Sequence, residues 1–201
     1  MGFCLNRVRP VTSLLLFAIL PTAFLTGGCA LGDRKIALLY EPASDCKAAP
    51  PQAVAVAKFD DLRQDKALVG EVRNGYGMKM AQVLLENQDA GGWVSNAVSA
   101  ELERTGCQVA KVERPTDAGS VPVVQGAIIE LYTKMYMTYD CRVKLKIQVT
   151  KSGVVLFNKD YEGKGGGLAV LVTAQEYEMV TKAALQDALK QATPQVLEAI
   201  K

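Results

Sequence analysis

Hydrophobic and polar residues alternate along the second half of the chain in the way that β-strands require. The clearest alternation covers residues 142–150, where one face carries Val143, Leu145, Ile147 and Val149. The other face carries Arg142, Lys144, Lys146 and Gln148. Such a pattern predicts a sheet with one covered face and one solvent-facing face. The same kind of pattern predicts further strands over 54–59, 107–113, 123–139 and 154–162.

Two other segments have the three-to-four-residue apolar spacing of amphipathic helices. The first covers 93–105 and ends before Gly106, a residue suited to the position after a helix. The second follows Thr173–Glu176, whose spacing matches a capping box, and Thr193–Pro194 allows it to kink or restart. The order β-α-β-β-β-β-α predicts an α+β fold, a two-layer sandwich with a mixed, mostly antiparallel sheet and two helices on one face. The strands that flank the first helix are expected to be parallel.

The first 28 residues have the three parts of a bacterial export signal. Arg7 and Arg9 precede an apolar run over 11–25, and Thr26–Gly28 is a stretch of small residues. The apolar run is shorter than the roughly 20 residues that cross a bilayer. The segment resembles the lipobox of bacterial lipoproteins, which implies cleavage before Cys29 and diacylation of its thiol. A plain secretory signal or an uncleaved anchor is the alternative.

The residue after the cysteine bears on the destination. Ala30 stands where an Asp is the usual signal for retention at the inner membrane. By resemblance, the protein is expected at the outer membrane, lipid-anchored and facing the periplasm. We divide the chain into a signal peptide (1–28), a lipid-anchored tether (29–52) and a single domain (53–201). Within the tether, residues 36–40 are apolar enough for a short edge strand.

Composition excludes several classes of function. The 201 residues contain no histidine, which excludes Ser-His-Asp and Cys-His catalysis and His-ligated metals. The formal charge is +2, and removal of Arg7 and Arg9 with the signal leaves 21 basic residues against 21 acidic ones. A neutral domain lacks the basic surface that nucleic acid requires. No Ser, Lys or Cys has a recognisable base partner, so we expect neither a cofactor nor an enzymatic activity.

Three cysteines remain beyond Cys29, namely Cys46, Cys107 and Cys141. In an oxidising compartment they can form one disulfide in three ways. Cys107 begins a predicted buried strand and fits a small core residue. If a bridge forms, we favour Cys46 with Cys141.

A tyrosine- and methionine-rich stretch is the leading candidate for a binding surface. Tyr132, Lys134 and Tyr136 fall on one face of a predicted strand, while Leu131, Thr133, Met135 and Met137 fall on the other. Two interpretations stay open. The residues either pack beneath a helix, or they form an adaptable surface for a protein partner or an acyl ligand.

Two further groups of residues, one of glycines and one of acidic residues, fit a structural role better than a catalytic or ligand-binding one. The glycines within 163–167 match neither a phosphate-binding nor a dinucleotide-binding motif, and we interpret them as a flexible connection that allows close strand–helix approach. Residues 60–77 are predicted to form a long loop, and 78–88 fit a short strand or a helical turn. Acidic residues near this loop fit a solvated turn better than an acid–base pair or a calcium site: Asp60, Asp61, Asp65, Glu71 and Asp89.

A family resemblance extends from the first strand through the first helix. The segment Phe59–Arg63, then Gly70, Asn74–Gly75 and Trp93–Gly106, resembles the YajG-type lipoproteins of diderm bacteria. In that family an apolar strand ends in D-x-R. The resemblance implies an outer-membrane lipoprotein of small α+β fold and no catalytic residues.

The residues that match D-x-R are Asp61 and Arg63. From their chemistry we expect them to pair or to bind backbone at the end of a strand. For the whole chain we expect a lipid-anchored, non-enzymatic periplasmic module that binds envelope proteins in assembly or transport. The alternative is an auxiliary subunit or carrier that binds a small hydrophobic envelope-derived ligand between the sheet and the helices.

Overall fold

The computed structural model describes residues 32–42, 52–87, 89–169 and 172–201. The predicted signal peptide, Cys29 and Cys46 lie outside the described residues. The described ranges contain the following strands and helices: β1 (Arg34–Ile36), β2 (Ala53–Ala57), β3 (Asp60–Asp61), β4 (Leu68–Arg73), β5 (Lys79–Leu85), α1 (Ala90–Arg104), β6 (Gln108–Val112), β7 (Val123–Tyr136), β8 (Thr138–Lys151), β9 (Val154–Leu168) and α2 (Ala174–Ala199).

The long strand β7 organises the sheet. Along one edge it pairs in turn with β2, β3 and β4, all parallel to it. Along the other edge it pairs with β8 in an antiparallel hairpin, and β8 pairs with β9 in a second one. The strands β5 and β1 continue the sheet beyond β4, and β6 lies beyond β2. The predicted parallel pairing of the strands that flank α1, β2 and β6, is confirmed.

The predicted α+β sandwich is confirmed. Both helices pack on one face of the curled sheet, and their buried side chains join those of the strands in one hydrophobic core. Leu102 comes from α1, Leu185 from α2, and Ile128 and Leu145 from the central hairpin, each at most 1% exposed. The alternation on β8 places Val143, Leu145, Ile147 and Val149 in this core. The opposite face of β8 carries the polar side chains, and Ala55, Ala57 and Val123 of β2 and β7 form a separate, small apolar cluster.

Both helices begin at residues that satisfy free backbone N–H groups. The Asp89 carboxylate accepts a hydrogen bond from Gly92 N at 2.9 Å at the start of α1. The predicted capping box of α2 is confirmed, because Glu176 N donates to Thr173 Oγ1 and Thr173 N donates to Glu176 Oε2. The helix then continues through Pro194 to Ala199, so the restart that Thr193–Pro194 allows does not occur.

The predicted loop over 60–77 is wrong, because it contains β3 and β4. The ambiguous segment 78–88 contains β5, which forms a hairpin with β4. Charged Glu71 and Arg73 interrupt the apolar pattern of β4, and their side chains pair with each other. The predicted strand 123–139 ends at Tyr136 because Met137 has a left-handed φ of 59° and turns the chain into β8.

The glycine cluster lies inside β9, so its interpretation as a flexible connection is wrong. The close approach of strand and helix is confirmed. A Cβ on Gly163 would lie 2.0 Å from Ala184 O, and one on Gly165 would lie 2.1 Å from Val180 O. Glycine is therefore required at these two positions for α2 to lie against β9.

Side chains of α2 also reach the outer edge of β9, which pairs with β8 alone among the described strands. The Asp187 carboxylate accepts a hydrogen bond from Lys164 N at 3.0 Å. The Gln191 amide donates one to Glu162 O at 3.0 Å. Backbone groups of this edge are thus partnered by a helix rather than by another strand.

Residues 32–42, which fall in the predicted tether, are bound to the folded body. An edge strand forms beside β5 as β1 (Arg34–Ile36), so it shares only Ile36 with the expected range of 36–40. Tyr40 Oη then donates a 2.5 Å hydrogen bond to the Glu101 carboxylate of α1, and Gln186 of α2 donates to Glu41 O. Among the described residues, no helix is both long and apolar enough to cross a membrane.

Candidate functional site

Tyr132, Lys134 and Tyr136 lie together on the solvent-facing side of β7, and we call these three residues the tyrosine face. Lys134 and Tyr136 are exposed, and Tyr132 is partly buried. The intervening Thr133 is fully buried, with its Oγ1 3.2 Å from Thr181 Oγ1 of α2. Leu131, Thr133 and Met135 are buried on the other face, as predicted, but Met137 is 72% exposed because it turns the chain into β8. The tyrosine face points away from the helices, whereas Leu131, Thr133 and Met135 on the other face pack in the core beneath α2, as the first interpretation expected.

A buried carboxylate fixes one end of the tyrosine face. Glu71 of β4 is 6% exposed, and Arg73 Nε donates to its Oε1 at 2.6 Å. Burial alone would raise the pKa of Glu71, but hydrogen bonds from Arg73 and Tyr132 outweigh it and hold this pKa below its usual value. Burial, followed by the Glu71 charge and hydrogen bond, raises the pKa of Tyr132 to about 12. Tyr132 therefore stays neutral as a donor to an ionised Glu71.

Tyr136 is held by the neighbouring hairpin. Its hydroxyl donates a 3.0 Å hydrogen bond to Gly75 O in the turn between β4 and β5. The ring remains 44% exposed, so the contact orients the side chain without covering it. Strand pairing and these two hydrogen bonds fix both tyrosines before any partner binds.

Charged side chains of both signs surround the tyrosine face. Tyr132 and Lys134 line a shallow recess of about 110 Å³ together with Glu130, Asp140 and Arg142. Lys144 Nζ lies 3.0 Å from Glu130 Oε2, and Arg142 Nη2 lies 3.8 Å from Asp140 Oδ2. Exposed ion pairs of this kind add little stability. They surround apolar tyrosine rings with polar groups, an arrangement typical of a protein-binding surface.

The acidic residues singled out from the sequence do not converge on one site. Asp65 accepts hydrogen bonds from Ala67 N and Leu68 N at 3.0 Å, which closes a turn. Asp89 caps α1, and Glu71 pairs with Arg73. Within the part of the chain that the structure describes, no cluster of acidic or cysteine side chains could hold a metal ion. These carboxylates therefore organise turns and strand ends.

The expectation for Asp61 and Arg63 is confirmed in both of its forms. Arg63 Nε and Nη2 donate to the two carboxylate oxygens of Asp61 at 2.9 and 2.7 Å. Nη1 and Nη2 also donate to Leu68 O and Lys66 O. The guanidinium thus joins the end of β3 to the start of β4. The D-x-R pattern has a structural role here.

Cys107 and Cys141 carry free, buried thiols. Burial raises the pKa of the Cys141 thiol, whose sulfur lies 3.9 Å from Thr181 Oγ1. The bridge between Cys46 and Cys141 stays a prediction, since Cys46 lies outside the described residues.

An apolar cleft that sequence reasoning missed opens between the end of β9 and the start of α2. It has a volume of about 280 Å³ and is lined by Tyr139, Leu168, Met179, Val180 and Ala183, among others. Leu168 and Met179 are themselves exposed, at 79% and 51%. The sequence signal for this cleft was the apolar run over 168–172, which follows the glycines and does not alternate between apolar and polar residues.

Comparison with known proteins shows the fold. No family model and no curated protein matches the sequence. The fold is similar to the crystal structure of protein XCC0632 from Xanthomonas campestris, described as DUF330, with a TM-score of 0.60 at 13% identity over 82% of this chain and 95% of that one. A second similar crystal structure, of an uncharacterised protein, has a TM-score of 0.54 at 9% identity and covers 84% of this chain and 100% of that one.

Lipoprotein GNA1162 from Neisseria meningitidis matches with a TM-score of 0.36 at 12% identity, over 74% of this chain and 99% of that one. At such identities, likeness to solved structures shows a fold and leaves function open. The resemblance to YajG-type lipoproteins accordingly stays a prediction.

Proposed function

We propose that the protein is a lipid-anchored, non-enzymatic lipoprotein on the periplasmic face of the bacterial outer membrane, of the YajG type, and that it binds envelope proteins. The observation that carries the proposal is the uncovered face of the sheet, on which Tyr132, Lys134 and Tyr136 stand in one row. The helices cover the opposite face and leave this one open to a partner.

The geometry of the tyrosine face supports protein binding. Tyrosine is enriched in protein interfaces, because its ring buries apolar area while its hydroxyl keeps a hydrogen bond. Tyr132 and Tyr136 are already oriented by Glu71 and by Gly75 O. Side chains that are fixed before binding lose little entropy on association. The surrounding ion pairs provide the polar rim of such an interface.

The lipid anchor rests on the sequence around Cys29. Small residues precede the cysteine, and an apolar run with two arginines before it matches an export signal. Each buried CH₂ group of an acyl chain contributes about 0.8 kcal/mol to membrane binding, so two or more chains give durable attachment. Ala30 supports the outer membrane as the destination.

Mass spectrometry of the native protein extracted from membranes tests the anchor. We expect a mature chain that begins at Cys29 and carries acyl chains. Cys29→Ser should leave the membrane fraction, while Cys107→Ser, which removes a buried thiol, should stay in it. A native chain that begins elsewhere without acyl chains contradicts the proposal.

Cross-linking from the tyrosine face tests partner binding. A photo-reactive amino acid at position 134 should capture an envelope protein in intact cells, and Tyr136→Ala should lower that capture at least about fivefold, as expected for loss of an interface anchor. Lys146→Ala, an exposed change on the neighbouring strand of the same face, is the control. The melting temperature of Tyr136→Ala should stay within about 3 °C of the wild type. Undiminished capture by the variant contradicts a role for this face.

The apolar cleft between β9 and α2 favours a second candidate function, a carrier or auxiliary subunit for a small hydrophobic envelope-derived ligand. Its volume of about 280 Å³ is close to the lower end of the range for ligand pockets. Native mass spectrometry should then show a retained ligand. Ala183→Trp would fill the cleft and remove that mass, while Lys190→Trp on an exposed position of the same helix would keep it. If both variants retain the same added ligand mass, the cleft is not its binding site, which argues against this function.

A further inference from the structure

Exposed apolar side chains gather at one end of the domain. We call the following five residues the apolar end: Tyr76, Met78, Met137, Leu168 and Met179, which are 91, 58, 72, 79 and 51% exposed. They come from four separate segments of the chain. Soluble proteins seldom place several large apolar side chains together in solvent unless the surface meets a partner or a membrane.

Strand pairing shows why these residues share one end. Tyr76 and Met78 belong to the turn between β4 and β5, and Tyr136 next to Met137 is hydrogen-bonded to that turn at Gly75 O. Leu168 pairs with Thr138 across β8 and β9, and Ala169 N donates to Met137 O. Leu168 and Met179 line the same cleft. These contacts place the five side chains at the same end of the sheet, between the β4–β5 turn and the first turns of α2.

The chain that leads to Cys29 leaves the body at the same end. Arg34 pairs with Val83, and the Asp33 carboxylate accepts a hydrogen bond from Gln82 N at 2.8 Å. Continuing this register places the exposed Gly32 beside Ala81, three residue steps or about 10 Å along the strand from Met78. Gly32 is three residue steps from Cys29, with Ala30 and Leu31 between them, and three extended steps span at most about 11 Å.

We infer that the apolar end rests on the phospholipid surface to which the chain is anchored, with its methionine, leucine and tyrosine side chains in the interfacial layer. This inference rests on the proposed lipidation of Cys29. An acylated Cys29 lies at the lipid interface, and the short connection holds the β5 side of the domain next to it. Apolar side chains enter the boundary between headgroups and acyl chains to a depth of about 5–10 Å.

The inferred orientation also predicts which end faces away from the lipid. The exposed residues Val154, Val155 and Leu156 lie at the opposite end of β9 from Leu168. Fourteen residue steps along a strand correspond to as much as about 46 Å. That distance exceeds the interfacial depth. A probe at the Leu168 end of β9 should therefore contact lipid, while a probe at the Val154 end should not.

Quenching by brominated phospholipid measures this orientation. We would reconstitute the lipidated full-length protein into vesicles of phosphatidylcholine with phosphatidylglycerol, with and without bromine on the acyl chains. Leu168→Trp and Val154→Trp place a probe at each end of β9, and the signal of the buried Trp93 is measured in the wild type and subtracted. We expect brominated lipid to lower the Leu168→Trp fluorescence at least twofold and to leave that of Val154→Trp within a tenth of its value.

Two results would overturn the inference. Equal quenching of both probes, or stronger quenching of Val154→Trp, would mean that the domain has no such orientation. Absence of quenching at both probes would mean that the apolar end is covered by something other than lipid, a second copy of the chain included. Failure of the proposed lipidation is distinguishable, because the mass of the reconstituted protein then shows an unmodified Cys29 and the protein does not float with the vesicles.

Discussion

Arg63 donates two hydrogen bonds to Asp61, from Nε and Nη2 to the two carboxylate oxygens. Both side chains are about nine-tenths buried. The same guanidinium donates to the carbonyls of Leu68 and Lys66. Lysine cannot reproduce this arrangement, because it lacks the planar fork of donors.

We therefore expect Arg63→Lys to lower the free energy of unfolding by about 2–4 kcal/mol, since it leaves a buried carboxylate and two carbonyls poorly partnered. Urea unfolding followed by circular dichroism measures the loss. Arg114→Lys is the matched control, because Arg114 forms an exposed pair with Asp117 and its change should cost less than about 0.5 kcal/mol. Equal stabilities of the two variants would contradict a structural role for Arg63.

The contact of β9 with α2 predicts a difference between neighbouring glycines. Gly165→Ala would place a Cβ 2.1 Å from Val180 O, whereas a Cβ on Gly167 meets nothing within 4 Å. We expect Gly165→Ala to lower the free energy of unfolding by about 2 kcal/mol or more, because helix and strand must separate. Gly167→Ala should be within about 0.5 kcal/mol of the wild type. Thermal and urea unfolding of both variants tests this, and a stable Gly165→Ala would be contrary to the packing described.

The lowered pKa of Glu71 predicts a stability change with pH. The ordinary pKa of a glutamate is 4.5, and the folded-state pKa of Glu71 lies below that value. Ionised Glu71 therefore stabilises the fold above the unfolded pKa, and this stabilisation is lost as the pH falls through the folded pKa. We expect Glu71→Gln to be about 1–2 kcal/mol less stable at neutral pH, with the difference shrinking towards about pH 3.

Urea unfolding at several pH values measures the difference. Asp160→Asn, at an exposed position of β9, serves as the control and should change the stability by less than about 0.5 kcal/mol at neutral pH. A Glu71→Gln deficit that does not shrink on acidification would show that the carboxylate charge is not what stabilises this site.

The buried thiols predict slow modification. Cys107 and Cys141 are 7% and 0% exposed, and burial raises the pKa of the Cys141 thiol. We expect a maleimide to react with both at least roughly 100-fold more slowly in the folded protein than in urea, because reaction requires local opening. Mass spectrometry of peptides reads out each site. Labelling of Cys141 in urea only after reduction would show instead that this cysteine forms a disulfide, and a cross-linked peptide that contains Cys46 would identify the predicted partner.

Much of the fold could be predicted because its pattern is local. The alternation around Val143, the Gly after the first helix and the capping box at Thr173 each report the conformation of a few consecutive residues. Their predictions agree with β8, α1 and α2. The split of β7 into a buried and an exposed face also follows from period two alone.

The missed features depend on distant contacts. Leu68–Arg73 looks like a charged loop until Glu71 is seen to pair with Arg73 and Tyr132, which lets a polar sequence form a buried strand. The turn at Met137 uses a left-handed conformation that sequence patterns do not associate with methionine. The tyrosine face could be predicted, but not its support by Gly75 O. The apolar end, which gathers residues from separate segments, required the topology.

The hydrogen bonds that Asp187 and Gln191 of α2 form with the backbone of β9 bear on the solubility of the molecule at high concentration. β9 is a fifteen-residue edge strand. The unpaired backbone groups of an edge strand can form hydrogen bonds with a strand of another protein or of another copy of the same protein. Here two of the outward backbone groups of β9 are already engaged by α2, and the glycine-rich half carries Lys164. These groups cannot pair with a strand of a neighbouring molecule, which disfavours amyloid-like aggregation when many copies are concentrated on one surface.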